Sequence, residues 1–187
     1  MGLIELILIA LGLFIAVVVY AWIEQRKERE QMRQAIVNLP DFRCAWSRIG
    51  ADASDGIAID EGNQSICFFR RVIGGISSHR VRAADVVSVD VFENRTTQTV
   101  QSGSGAIVMV GRIGVPVGRP RHTTLHKVTR VEVRVTVNDP ARPLHTLTIL
   151  SSNCQQGDSM HAYANREADE WRARIVAMAA RAQRAAG

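Results

Sequence analysis

The sequence predicts one membrane-spanning helix followed by a mainly-β domain that a C-terminal amphipathic helix closes. Three observations predict it. The run from Leu3 to Ile23 holds 21 residues and a single charge, Glu5. At 1.5 Å per residue such a helix spans about 31 Å, the hydrocarbon thickness of a bilayer. Between Phe42 and Leu150 several short runs alternate apolar and polar residues with the period of a half-buried strand. From Ser159 to Ala185 there is no Pro or Gly, and the apolar residues take helical spacing. The predicted organisation is an anchor over 1–23, a juxtamembrane helix and linker over 24–40, and a β domain over 41–187 whose closing helix covers about 159–185.

The first run reads as an uncleaved anchor. A secretory signal needs a basic start, a short apolar core and small residues at a cleavage site. Here nothing basic precedes the run, and it ends on the bulky Val19-Tyr20-Ala21-Trp22-Ile23. Tyr20 and Trp22 fall where amphipathic rings prefer the membrane interface. Arg26, Lys27, Arg29 and Arg33 follow at once, and no basic residue flanks the other end. By the positive-inside rule the chain is single-pass in the inner (plasma) membrane, with its N-terminus outside and its C-terminal domain in the cytoplasm. The charged segment 24–37 continues the helix, and Asn38-Leu39-Pro40-Asp41 ends it, because the residue before proline is pushed out of the helical region.

The β domain is read run by run. Gly56–Asp60 is a short strand, Glu61-Gly62-Asn63 a turn, and Ser65–Arg71 the hairpin partner. Gly74-Gly75 marks the next turn. In Val86–Asn94, Val87, Val89 and Val91 point one way. In Thr129–Asn138, Val131, Val133, Val135 and Val137 face the core, while Arg130, Glu132, Arg134 and Thr136 face solvent. Asp139–Pro143 is a turn, and His145–Leu150 pairs with the strand before it. Along the last helix Ala164, Ala168, Trp171, Ile175, Met178 and Ala182 form one apolar stripe, with Asp158 or Ser159 as the N-cap. That stripe needs a surface, and a sheet of six or seven strands supplies it.

Antiparallel strands closed by one C-terminal helix resemble the pleckstrin-homology-like (PH-like) architecture. The hairpin Gly56–Asp60 with Ser65–Phe69 resembles the opening hairpin of bacterial PH-like domains. Arg82-Ala83-Ala84-Asp85-Val86-Val87-Ser88-Val89-Asp90-Val91 is similar to their short turn and following strand. Glu167-Ala168-Asp169-Glu170-Trp171 resembles the start of their closing helix. The resemblance covers roughly residues 42–185 and implies a small barrel or sandwich capped by a helix. It assigns no ligand, since function lives in sites rather than in folds.

The chemistry is sparse. Cys44, Cys67 and Cys154 are an odd set without C-x-x-C spacing, which reads as reduced, mostly buried thiols rather than disulfides or a zinc site. His122-Thr123-Thr124-Leu125-His126 lacks the Glu of a zincin and does not sit on a helix. No metal, cofactor or catalytic constellation is expected. Residues 102–118 are rich in Gly and apolar residues and read either as a long loop that touches the bilayer or a partner, or as a Gly-rich strand pair with bulges. Residues 95–134 hold 7 basic groups and 1 acidic one, so most of the net charge of +5 sits there. Arg112, Arg119, Arg121, Lys127 and Arg130 are the candidate lipid- or partner-binding residues. Near an anionic leaflet each contributes about 1 kcal/mol, screened by salt. The cluster lacks the interleaved aromatics of a nucleic-acid surface, which points away from that partner.

The expected function is a membrane-tethered, non-enzymatic binding or scaffolding module that meets anionic lipid or an acidic protein. One alternative is a membrane effector or sensor that assembles into homo-oligomers and acts through 102–118. A second is an enzyme using a Cys or His that sequence alone does not single out.

Overall fold

A computed structural model describes residues 2–102, 106–110, 113–117 and 121–186. The first helix, α1 (Leu3–Val37), runs unbroken through both the apolar stretch and the charged segment. It is long and apolar enough to cross a membrane, and its spanning window is unburied by protein. Leu13, Phe14 and Val17 are each more than 60% exposed, so none of the described residues covers this stretch. The lone charge is tolerated because Glu5 sits in the first turn, where its carboxylate accepts the Gly2 N–H at 3.1 Å.

The far end of α1 does not lead into a free linker. Met32 and Ile36 are buried with Ala58, Cys67 and Phe69 in a small hydrophobic cluster on the outer face of the first sheet. Glu28 pairs with Arg71 at 3.0 Å, and Arg29 donates to the Ala51 carbonyl at 2.9 Å. The helix ends at Asn38, and Asp41, just past Pro40, takes a left-handed backbone (φ 54°) that turns the chain onto the sheet.

The domain is two antiparallel sheets and a helix. The first sheet is a four-strand meander of β1 (Trp46–Ile49), β2 (Asp55–Asp60), β3 (Ser65–Val72) and β4 (Gly75–Arg82). The expected hairpin is present, with Ile57 opposite Phe68 and Ile59 opposite Ile66. Asp60 is fully buried at its turn, where its carboxylate accepts the Asn63 N–H, the Asn63 amide and the Arg43 N–H. Burial pushes that carboxyl up, yet these bonds outweigh it and hold the group below its ordinary value. Asp60 is thus a structural clamp for the turn that follows β2.

A 3-10 turn (Ala83–Asp85) leads to the second sheet, with order β5 (Val86–Ser102), β8 (Arg121–Val137) and β9 (Leu144–Gln155). Between β5 and β8 the chain forms a separate two-strand pair, β6 (Ala106–Val110) and β7 (Ile113–Val117). The strand-pair reading of 102–118 therefore prevails over the loop reading for the described residues.

One facing assignment and one exposure assignment change. Val87 is 68% exposed, whereas Val86 and Val89 are buried. A bulge between Val86 and Ser88 inserts one residue and turns Val87 outward. Glu132 is buried rather than solvent-facing, at a register shift against β9, with Arg130 2.6 Å and Arg134 3.1 Å from its carboxylate. The four valines Val131, Val133, Val135 and Val137 do face the core.

α2 (Ser159–Ala186) lays its stripe over the sandwich, and all six stripe residues are buried. They join Ile57, Phe68 and Leu147 in one cluster spanning both sheets. The sheets meet at a corner: Ala51 N–H donates to the Thr148 carbonyl at 2.8 Å, and Asp55 on β2 grips Thr148 on β9. Strand pairing does not close them into a barrel, so the architecture is an open sandwich capped by a helix.

Candidate functional site

The basic residues singled out from sequence divide into three groups. Arg112 and Arg119 lie outside the described residues. Arg121 opens β8, paired in register with Ser102, and its side chain is outside the described set. Lys127 and Arg130 are fully described. Lys127 is half-buried where β8 pairs with Thr96 on one side and Gln155 on the other. Arg130 faces inward partners: Glu132 at 2.6 Å, the Thr148 hydroxyl at 2.9 Å and Asp52 at 3.8 Å. Its guanidinium is thus tied to the corner that joins the sheets.

The elements that carry these residues form a ribbon. Thr129 is an extra residue of β8 between the pairs Asn94–Arg130 and Arg95–Val128, and the pairing of β8 with β9 shifts at the same level. Bulges raise local twist and bend a strand pair, so this is where the ribbon changes course. Gln156 N–H still reaches the His126 carbonyl at 2.9 Å. Beyond that point Gln98–Ser102 pairs with Arg121–Leu125, and no third strand joins them among the described residues. This stem is about 17 Å long at 3.4 Å per residue. Past it, β6 and β7 pair Ala106 with Val117 through Val110 with Ile113, and none of these ten residues is charged.

The structure also assembles a histidine cluster that no motif announced. His79 on β4 lies 3.1 Å from His145 on β9 through Nδ1 and Nε2, and its other nitrogen is 3.0 Å from Asp139. His145 stacks on Phe68 with centroids 4.2 Å apart and planes 7° from parallel. The pair lines a cleft of about 460 Å³, shared with Arg70, Ser77, Arg142 and Leu144. Burial, then the neighbouring His79, pushes the His145 pKa down to about 4. The residues stand 66 positions apart in sequence, so only the fold brings them together.

Two of the three thiols are buried as expected, whereas Cys44 is not, because it precedes β1 on the exposed approach to the sheet. Cys67 and Cys154 are buried, and burial pushes both thiols up, Cys67 to about 11. Neither holds a useful thiolate fraction near neutral pH. Cys44 is exposed, with its Sγ 3.4 Å from the Trp46 carbonyl. Compared with protein-family models, curated proteins and solved structures, the chain matches none of them.

Proposed function

We propose that this chain is a non-enzymatic binding or scaffolding module, PH-like in fold, tethered to the inner (plasma) membrane with its domain in the cytoplasm. The four-strand meander, the three-strand sheet and the closing helix support the PH-like reading. The basic flank Arg26 to Arg33 supports the orientation.

The observation that carries the functional reading is the ribbon. A two-strand stem leaves the sandwich at a bulge, β6 and β7 carry no charged residue, and the sequence from 112 to 130 supplies Arg112, Arg119, Arg121, Lys127 and Arg130. Held by the anchor near an anionic leaflet, such an arm meets lipid headgroups or an acidic protein. Arg130 acts at its root through Glu132, so Arg112, Arg119, Arg121 and Lys127 are the proposed contact groups.

The test uses the full chain in lipid nanodiscs, with Cys44→Ser and a fluorophore on Thr97→Cys. Quenching by headgroup-labelled lipid should rise in anionic discs relative to neutral ones and fall again in high salt. Equal quenching in both discs sinks the lipid version of the reading, leaving an acidic protein as the target.

A second reading is a membrane effector, favoured by the ten uncharged residues of β6 and β7. A strand pair entering hydrocarbon must satisfy its open edges, so this reading requires assembly of several copies into a closed wall. Full-length chain should then release dye from anionic vesicles, and a chain lacking 106–117 should not. If both release dye alike, the tip is not the agent.

A further inference from the structure

The geometry points to a second site: the groove between α1 and β1, just past the membrane-spanning stretch, holds the phosphate-bearing headgroup of an anionic lipid. The groove has a volume of about 640 Å³ and is lined by Arg26, Arg29, Arg33 and Arg48 against one carboxylate, Glu30. It shares no residue with the ribbon.

Its position follows from helix arithmetic. Arg26, Arg29 and Arg33 follow Ile23 by three, six and ten residues, which places them about 4, 9 and 15 Å beyond the apolar run. The headgroup layer of one leaflet is about 5–8 Å deep, so Arg26 stands at headgroup level, Arg29 at its outer edge, and Arg33 about 7 Å beyond it, facing back along the groove wall. Arg26 lies over the Trp22 ring at 5.5 Å, an aromatic at interface depth.

The guanidinium groups have capacity to spare. Arg26 and Arg33 form no ion pair among the described residues, and both are exposed. Arg29 spends one amino group on the Ala51 carbonyl, which fixes its direction and leaves its other donors. Arg48 is held by Glu167 at 2.7 and 2.9 Å, while its Nε is out of solvent without a hydrogen-bond partner. Docking of Met32 and Ile36 on the sheet keeps the two walls together. Arg29 and Arg48 are held in place and Arg26 and Arg33 are free to close on a ligand, and planar guanidinium groups match phosphate oxygens better than ammonium groups do.

The inference rests on the reading of α1 as a membrane helix. The test reconstitutes the full chain in phosphatidylcholine bilayers and measures immobilisation of spin-labelled phosphatidylglycerol and phosphatidylcholine. The wild type should prefer phosphatidylglycerol by about threefold or more. Arg26→Ala with Arg33→Ala, neither of which breaks an internal bond, should bring the two lipids to parity. Lys27→Ala, outside the groove, should leave the preference intact. Excess inorganic phosphate should compete if the groove reads phosphate alone and fail if it needs the lipid. Equal immobilisation in the wild type, or an equal loss with Lys27→Ala, overturns the site in favour of a diffuse basic flank. Failure to insert at all overturns the anchor reading and the site with it.

Discussion

Thr148 donates both its hydroxyl and its backbone N–H to one carboxylate, that of Asp55. The hydroxyl lies 2.6 Å from Oδ2, and the N–H is shared at 3.0 and 3.1 Å. The two residues stand on different sheets, 93 positions apart. Both are buried, so the pair replaces water for each and fixes the corner of the sandwich.

Asp55→Ala should therefore destabilise the fold by about 2–3 kcal/mol, because Thr148 loses its partner in a dry site. Burial, the dominant influence, raises the Asp55 pKa above its ordinary 3.8 despite the Thr148 bonds. A raised carboxyl favours the folded state when protonated, so its contribution is fullest below pH 3.8 and declines as pH rises through the folded value. Urea melts of the wild type and Asp55→Ala across that range check both points. An Asp55→Ala protein as stable as the wild type would mean that the corner is held by packing alone.

His145 has the opposite sign. Its pKa is lowered from 6.5 to about 4, so neutral His145 stabilises the fold above pH 6.5, and that contribution is lost as pH falls toward 4. His145→Phe keeps an aromatic ring against Phe68 and removes the titration. The variant should lose about 2 kcal/mol less stability than the wild type between those pH values. Parallel pH profiles for the two proteins would assign the acid sensitivity to other groups.

The bulge at Val87 makes a paired prediction. Val87→Ser changes an exposed side chain and should shift stability by less than about 0.5 kcal/mol. Val89→Ser empties a core position and should cost about 2 kcal/mol. Thermal melts of the two variants check this, and similar losses would remove the bulge.

Arg130 and Lys127 should also part company. Arg130→Ala leaves the buried Glu132 with Arg134 alone and should cost about 2 kcal/mol of stability. Lys127→Ala should leave the melting temperature within about 2 °C and weaken only contact with an anionic surface. If Arg130→Ala melts like the wild type, its pairing with Glu132 carries no weight.

Much of this fold was legible because it rests on local periodicity. The α2 stripe from Ala164 to Ala182 and the four valines of β8 follow from spacing alone, since burial repeats with the element's own period. The inversion at Val87 comes from a bulge, whereas Glu132 keeps its expected face and is buried between Arg130 and Arg134. One strand's pattern carries no record of its partner's register. The same limit hid the His79–His145 pair and the α1–β1 groove, whose walls come from elements distant in sequence. Arg26, Arg29 and Arg33 were visible as an orientation signal, but nothing local showed that Arg48 would stand opposite them.

α1 and the β domain form one body, because Met32 and Ile36 dock α1 onto the sheet and Glu28 meets Arg71. The most direct measurement is the distance between a spin label on Val18→Cys, in the apolar stretch, and one on Val87→Cys, exposed on β5. Cys44→Ser removes the exposed native thiol, and the buried Cys67 and Cys154 stay unlabelled. In nanodiscs a single narrow distance distribution is predicted, broadening when Met32→Asp and Ile36→Asp undock the helix. A broad distribution in the otherwise native chain would show the domain swinging on a loose tether and contradict the account.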